Sequence, residues 1–134
     1  MKDEYEKYFI EKYPWLRRNI YNNEPGVTVP MAGIGNGWFK IVDELCSKID
    51  IELKKHVEFE KHFLVTNIKE KWGGLCFNVM TATDAIYNAI DQAETHSLIT
   101  CEICGKKAGP KRIRGWISTL CWFHSLLHKW RLLK

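Results

Sequence analysis

The sequence predicts an α+β fold in which helices pack on a β-hairpin and a treble-clef-like zinc finger forms the C-terminal part. Three observations favour this class. Apolar residues recur every three or four positions in several segments, as on the buried face of a helix. Two runs rich in β-branched and aromatic residues meet at a Gly-Gly pair, which is typical of a hairpin. Three Cys and one His near the C-terminal end have the spacing of zinc ligands.

Length and composition indicate one small domain. The chain has 134 residues, of which 46% are hydrophobic and 27% charged, and this suits one modest core. No segment approaches the roughly 20 apolar residues of a membrane helix, and the acidic start is unlike a signal peptide. We therefore expect a cytoplasmic protein without a membrane partner, in which the five Cys are metal ligands or buried thiols rather than disulfides.

The N-terminal part predicts a helix followed by a long loop. Aromatic residues at helical spacing over residues 3–13 predict a short amphipathic helix that Pro14 ends. Residues 17–37 are rich in Asn, Pro and Gly and predict a loop. Its glycine-rich run 33–37 could hold an anion through backbone amides or form a flexible start of the next helix, and the second reading is favoured.

The next segments predict a helix, a hairpin and another helix. The main helix is predicted over residues 38–55, where apolar residues fall three and four apart. The hairpin is predicted over 62–80 with its turn at Gly73-Gly74, because a two-residue turn of this kind needs positive φ. Asp84 is predicted to cap a helix over 85–98.

The C-terminal quarter carries the strongest functional signal. Cys101 and Cys104 form a C-x2-C pair, and sixteen residues separate Cys104 from Cys121. Cys121 and His124 form a C-x2-H pair. Two-residue spacing lets both side chains of one tight turn face one ion, and a nitrogen and sulfur donor set without acids fits tetrahedral Zn²⁺. The sequence therefore predicts a zinc site with these four ligands, and His128 stays open as an alternative fourth ligand.

The remainder of this segment predicts a treble-clef order. Gly109-Pro110 predicts a turn, a small hairpin surrounds Gly115, and a helix over 121–133 carries the second ligand pair. We expect residues 101–134 to form a finger packed on a body of residues 1–100 as one compact unit. Four protein ligands would close the zinc shell, so the zinc is predicted to be structural and the protein not an enzyme.

Basic and aromatic residues concentrate in the same quarter. Residues 101–134 contain eight Lys or Arg and one acid, a net charge of +7. Among the aromatic residues, Trp116 and Phe123 are predicted in the core of the finger and Trp122 and Trp130 on its surface. Such surfaces bind proteins or nucleic acids. The candidate partner-binding residues are Lys111, Arg112, Arg114, Trp122, Lys129, Trp130 and Arg131.

Four motifs resemble a family of small phage and prophage proteins that has no established activity. They are GWFKIVDELC from Gly37, IKEKWGGLCF from Ile68, TCEICG from Thr100 and WISTLC from Trp116. The likeness covers residues 34–124, although family members often carry Arg where this chain has Cys76. It implies a phage-encoded accessory protein with a zinc finger, acting in the bacterial cytoplasm and blocking a host component, such as a defence protein.

The sequence thus favours a non-catalytic binding module for a host protein. The alternative is a nucleic-acid or nucleotide binder that uses the basic, aromatic C-terminal surface. The sequence leaves the oligomeric state open.

Overall fold

The computed structural model describes residues 1–17, 31 and 33–133. Within them the predicted α+β class is confirmed, with five α-helices and two antiparallel hairpins. None of the described helices combines the length and the apolar character needed to cross a bilayer. The elements are α1 (Asp3–Lys12), α2 (Phe39–Lys55), α3 (Val57–Glu60), β1 (Leu64–Lys71), β2 (Gly74–Met80), α4 (Asp84–Ser97), β3 (Gly109–Ile113), β4 (Trp116–Leu120) and α5 (Trp122–Leu133). Most of the predicted loop over 17–37 lies outside the described residues.

The main core lies where α1, α2 and α4 pack on the β1–β2 hairpin. The apolar faces expected from helical spacing are the buried ones. On α2 the buried residues are Ile41, Val42, Leu45, Cys46, Ile49 and Leu53. On α4 they are Ile86, Ile90, Ala93 and Ser97. Phe9 of α1, Trp38 before α2 and Phe77 of β2 are almost completely buried in the same core.

The first hairpin is confirmed, but its predicted turn was wrong by one residue. Lys71 pairs with Gly74, so Gly74 begins β2 and the two turn residues are Trp72 and Gly73. Both have positive φ, 55° and 81°. The register follows from burial, because a slip by one residue would turn the buried side chains of β2 toward solvent.

The cap of α4 also differs from the prediction. The helix begins at Asp84, and Thr83 is its N-cap. The Thr83 hydroxyl accepts a hydrogen bond from the backbone N–H of Ile86 at 3.3 Å. Asp84 instead occupies the first turn, where a carboxylate interacts favourably with the helix dipole.

The second hairpin turns at Arg114 and Gly115, which have φ of 52° and 82°. This confirms a hairpin around Gly115. The prediction of a turn at Gly109-Pro110 was wrong, since both residues lie in β3 and Pro110 pairs with Thr119. A strand with a single neighbour accepts Pro because one of its edges forms no ladder.

Candidate metal centre

Four side chains from three parts of the C-terminal segment meet at one point. Cys101 and Cys104 come from the loop after α4, Cys121 lies between β4 and α5, and His124 lies in the first turn of α5. Their ligand atoms all lie within 4.8 Å of one another. Along the chain, the β3–β4 hairpin lies between the two ligand pairs. The cluster of residues predicted from the spacing can therefore hold a metal ion.

The separations within the cluster are those of ligands around a common centre rather than of bonded sulfurs. The Sγ atoms of Cys104 and Cys121 are 3.7 Å apart. His124 Nδ1 lies 3.3 Å from the Sγ of Cys121 and 3.7 Å from that of Cys101. A disulfide would need a sulfur separation of about 2.05 Å, and all five cysteines of the chain are free.

His124 rather than His128 supplies the nitrogen of this cluster. His128 lies one helical turn further along α5 and lines a small cavity of about 170 Å³ together with Ile103, His124 and Leu127. That position places His128 beside the cluster without making it one of the four converging side chains.

The start of α5 favours a thiolate at Cys121. The backbone N–H of His124 donates to its sulfur and, with smaller contributions from the neighbouring side chains, lowers the pKa of Cys121 to about 6. Burial raises the pKa of the neighbouring Cys104 thiol. Thiolates are the form that ligates metals, so one ligand is prepared for binding and another must lose its proton as the metal binds.

The hydrophobic core around the cluster is small. Among the described residues it consists of Cys101, Ile113, Leu120 and Cys121, with Ala108 partly buried against it. Two of these four residues are themselves candidate ligands. Apolar contacts alone therefore give this segment little stability.

Backbone contacts join the cluster to the rest of the protein. Gly37 N–H donates to Glu102 O at 2.9 Å, and Glu102 N–H donates to Thr119 O at 3.0 Å. The indole N–H of Trp38, which is completely buried, donates to Thr100 O at 2.9 Å. These bonds tie the first ligand pair both to the start of α2 and to β4.

The glycine-rich run 33–37 lies directly against the first ligand pair. Neither sequence prediction for this run, an anion site or a flexible start of the helix, included this contact. A Cβ atom on Gly35 would lie 2.0 Å from Glu102 O, and one on Gly37 would lie 2.0 Å from Cys101 O. The two backbones therefore touch directly. The Gly37 amide is bonded to the protein itself and is not available to an anion.

The candidate partner-binding residues lie on two elements and a turn. Lys111 and Arg112 are exposed on β3, and Arg114 is exposed at the β3–β4 turn. The predicted exposure of Trp122 and Trp130 on α5 is confirmed. Lys129 is exposed on the same helix. Arg131 also belongs to α5, but its side chain lies outside the described part of the structure.

The prediction that Trp116 and Phe123 are core residues was wrong. Trp116 is 66% exposed and Phe123 is 55% exposed. The reason is the size of the small core, which Ile113 and Leu120 fill together with two cysteines. No volume remains for an indole or a phenyl ring beside them.

Two further residues were missed by sequence reasoning. Trp72 is 70% exposed and lines a groove with Trp116, and its place before Gly in a two-residue turn was the available signal. Glu102 has a buried Oε2 that no described residue hydrogen-bonds. Burial, with the charge of Glu70, raises the pKa of Glu102 to about 7, against a hydrogen bond from the Thr119 backbone. No feature of the sequence indicated that environment.

Chemically, the cluster offers an ion four protein ligands. Four such ligands fill a tetrahedral shell and leave no position for water or substrate, as in structural rather than catalytic sites. No protein-family model, no curated protein and no solved structure matches this chain. The identification of the metal site therefore rests on the geometry of the cluster.

Proposed function

We propose that the cluster holds a structural zinc ion and that the protein is a non-catalytic binding module. Cys101, Cys104, Cys121 and His124 would be the ligands. Bound zinc would cross-link the loop after α4 to the start of α5 and supply no reactive group. The observation that carries this proposal is the set of distances between the ligand atoms.

Three of the six separations between the ligand atoms agree with a tetrahedral zinc site. A tetrahedron with Zn–S bonds of about 2.3 Å and a Zn–N bond of about 2.0–2.1 Å has S···S edges of about 3.8 Å and S···N edges of about 3.5 Å. The Sγ atoms of Cys104 and Cys121 are 3.7 Å apart, and His124 Nδ1 lies 3.3 and 3.7 Å from the Sγ atoms of Cys121 and Cys101. All four ligand atoms lie within 4.8 Å of one another. Three sulfurs, one imidazole and no carboxylate favour Zn²⁺ over Mg²⁺ or Ca²⁺.

The partner surface is proposed on α5. Five large apolar residues of this helix are between 40% and 78% exposed, and we call them the α5 surface: Trp122, Phe123, Leu126, Leu127 and Trp130. Three of them follow one another at intervals of four residues and so share a helix face. Exposed apolar groups of this size, rich in tryptophan, are typical of protein interfaces.

The positive charge of the C-terminal segment indicates the kind of partner. The C-terminal segment that carries the α5 surface has a net charge of +7, and Lys129 is exposed within that surface. We therefore propose that the module binds a protein with an acidic face around an apolar patch. The resemblance to phage and prophage proteins is the reason to look for this partner among proteins of a bacterial host, including its defence proteins.

Affinity capture from a bacterial extract tests this proposal. The zinc-loaded wild type is expected to retain a host protein that Trp122→Glu and Trp130→Glu each lose, because a buried carboxylate would face an acidic partner. The matched control, Trp72→Asn, changes an exposed tryptophan outside α5 and is expected to retain the same protein. Equal retention by the wild type and both α5 variants would contradict the proposed surface.

A further inference from the structure

The turn of the first hairpin, which we call its tip, lies against β4 of the second hairpin. The Thr119 hydroxyl, completely buried on β4, donates to the backbone carbonyl of Gly73 in the β1–β2 turn. A Cβ atom on Gly73 would lie 3.1 Å from Thr119 Oγ1 and 3.2 Å from Ile117 Cγ2. These contacts fix the position of the first turn relative to the second hairpin, whose tip is the turn at Arg114 and Gly115.

A groove runs between the tips, and we call it the tip groove. Its volume is about 230 Å³. The residues that line it are Glu70, Lys71, Trp72, Gly115, Trp116 and Ile117. Trp72 and Trp116 each expose about two thirds of their surface, at 70% and 66%. The groove is thus lined by two exposed tryptophans, one from each hairpin.

The fold does not account for tryptophan at position 72. Its φ is 55°, in the left-handed region where Asn and Gly are common and a bulky side chain is a rare exception. The exposed indole gains little from burial in return. An exposed aromatic residue in this strained conformation favours a role outside folding.

Cations surround the tip groove. Lys71 lines it, and Arg114 stands at the second tip beside Gly115. Arg112 pairs with Ile117 across the second hairpin. Arg112 is exposed one residue before β3 ends at Ile113, close in sequence to Arg114. The lining acid, Glu70, accepts the backbone N–H of Gly73 at 2.7 Å and closes the turn.

We propose that the tip groove binds a base of single-stranded nucleic acid, which stacks on Trp72 and Trp116 while the adjoining phosphates contact Lys71, Arg112 and Arg114. Exposed aromatic rings beside cations are the recurring means of binding single strands. A groove of about 230 Å³ is below the range of roughly 300–1,000 Å³ that encloses whole small ligands, so it suits one base of a longer strand. Bases within a duplex are paired and stacked and cannot enter it.

The tip groove shares no residue with the α5 surface. It uses residues of the two hairpins, and position 72 lies outside the basic C-terminal quarter altogether. Binding at the tip groove can therefore be tested separately from the proposed protein partner.

The test is fluorescence anisotropy of a labelled twelve-residue oligodeoxyadenylate with the zinc-loaded full-length protein. Trp72→Asn keeps a residue that tolerates positive φ and removes the indole, and Trp116→Thr keeps a good strand former. We expect each variant to bind about tenfold more weakly than the wild type. Trp122→Ala on the α5 surface is the control and is expected to bind like the wild type. Because of the phosphate contacts, wild-type affinity should fall steeply as salt is raised.

The following results would overturn the proposal. One is a wild type that binds no oligonucleotide, or a folded Trp72→Asn that binds as tightly as the wild type. A second is equal affinity for the duplex of the same length. The third is displacement of the oligonucleotide by adenosine monophosphate at equal concentration, which would identify a free nucleotide as the ligand. Thermal unfolding of Trp72→Asn, compared with the wild type, verifies that this variant is folded.

Discussion

At the scale of single residues, two glycines and one carboxylate matter most for how the finger meets the body. Gly35 and Gly37 let the chain before α2 lie directly against the backbone of Cys101 and Glu102. Trp38, the next residue, reaches Thr100 with its indole N–H. The order glycine, glycine, tryptophan therefore encodes a docking site for the first ligand pair.

We predict that Gly35→Ala and Gly37→Ala each destabilise the protein by about 2 kcal/mol or more, because each Cβ would overlap a backbone carbonyl oxygen and force the finger away. The measurement is chemical denaturation of the zinc-loaded protein. Gly109→Ala is the control, since nothing lies within 4 Å of its Cβ position. Alanine variants at positions 35 and 37 that unfold at the same denaturant concentration as Gly109→Ala would contradict this contact.

Glu102 is a second residue whose surroundings cost stability. Its pKa is raised from the ordinary 4.5 to about 7, chiefly by burial. A carboxyl group with a higher pKa in the folded than in the unfolded chain binds protons preferentially when folded. Its contribution to stability is therefore lost as the pH rises from about 4.5 to about 7.

Glu102→Gln should therefore melt a few degrees above the wild type at pH 8, and most of this difference should be lost at pH 5, where the carboxyl group of the folded protein is protonated. Thermal unfolding at the two pH values measures this. The control is Glu11→Gln on the exposed side of α1, which should follow the wild type at both values. A pH-independent difference for Glu102→Gln would disprove the buried-carboxyl explanation.

At the scale of elements, a buried hydrogen bond joins the two hairpins. Thr119 of β4 is completely buried and donates its hydroxyl to the Gly73 carbonyl. Its own carbonyl accepts from Glu102. One strand residue thereby joins the first turn, the second hairpin and the ligand loop.

We expect Thr119→Val to lower the free energy of unfolding by about 1–3 kcal/mol, because the buried Gly73 carbonyl loses its hydroxyl donor while the side-chain shape is kept. Denaturant titration gives this value. Thr66→Val is the matched control, since the hydroxyl of Thr66 bonds the Asn78 carbonyl at an exposed position. A loss no larger for Thr119→Val than for Thr66→Val would show that the inter-hairpin bond adds nothing.

Local patterns predicted the elements well and their tertiary contacts poorly. The buried faces of α2 and α4 follow from helical spacing, and the ligand cluster follows from paired two-residue spacings, because each depends on neighbours in sequence. The turn at Trp72 was missed because register is set by burial across the sheet. The exposure of Trp116 and the use of Gly35 depend on what lies opposite each residue, which no local pattern contains.

At the scale of the whole molecule, the protein has a large apolar core and a small C-terminal core around the candidate metal ligands. The large core draws on α1, α2, α4 and the first hairpin. The small core has four buried hydrophobic residues, of which two are cysteines of the candidate metal cluster, and the backbone bonds at Gly37 and Thr100 connect it to the large one. A metal ion would supply the cohesion that so few apolar side chains cannot.

Elemental analysis of the protein purified without chelators tests most directly whether the cluster of three cysteines and His124 holds a zinc ion. We predict one zinc per chain for the wild type, with little or none for Cys101→Ser. Cys76→Ser, which changes a cysteine outside the cluster, should keep the full amount. A wild type without stoichiometric metal, or a Cys101→Ser variant that retains as much zinc as Cys76→Ser, would contradict a structural zinc site at this cluster.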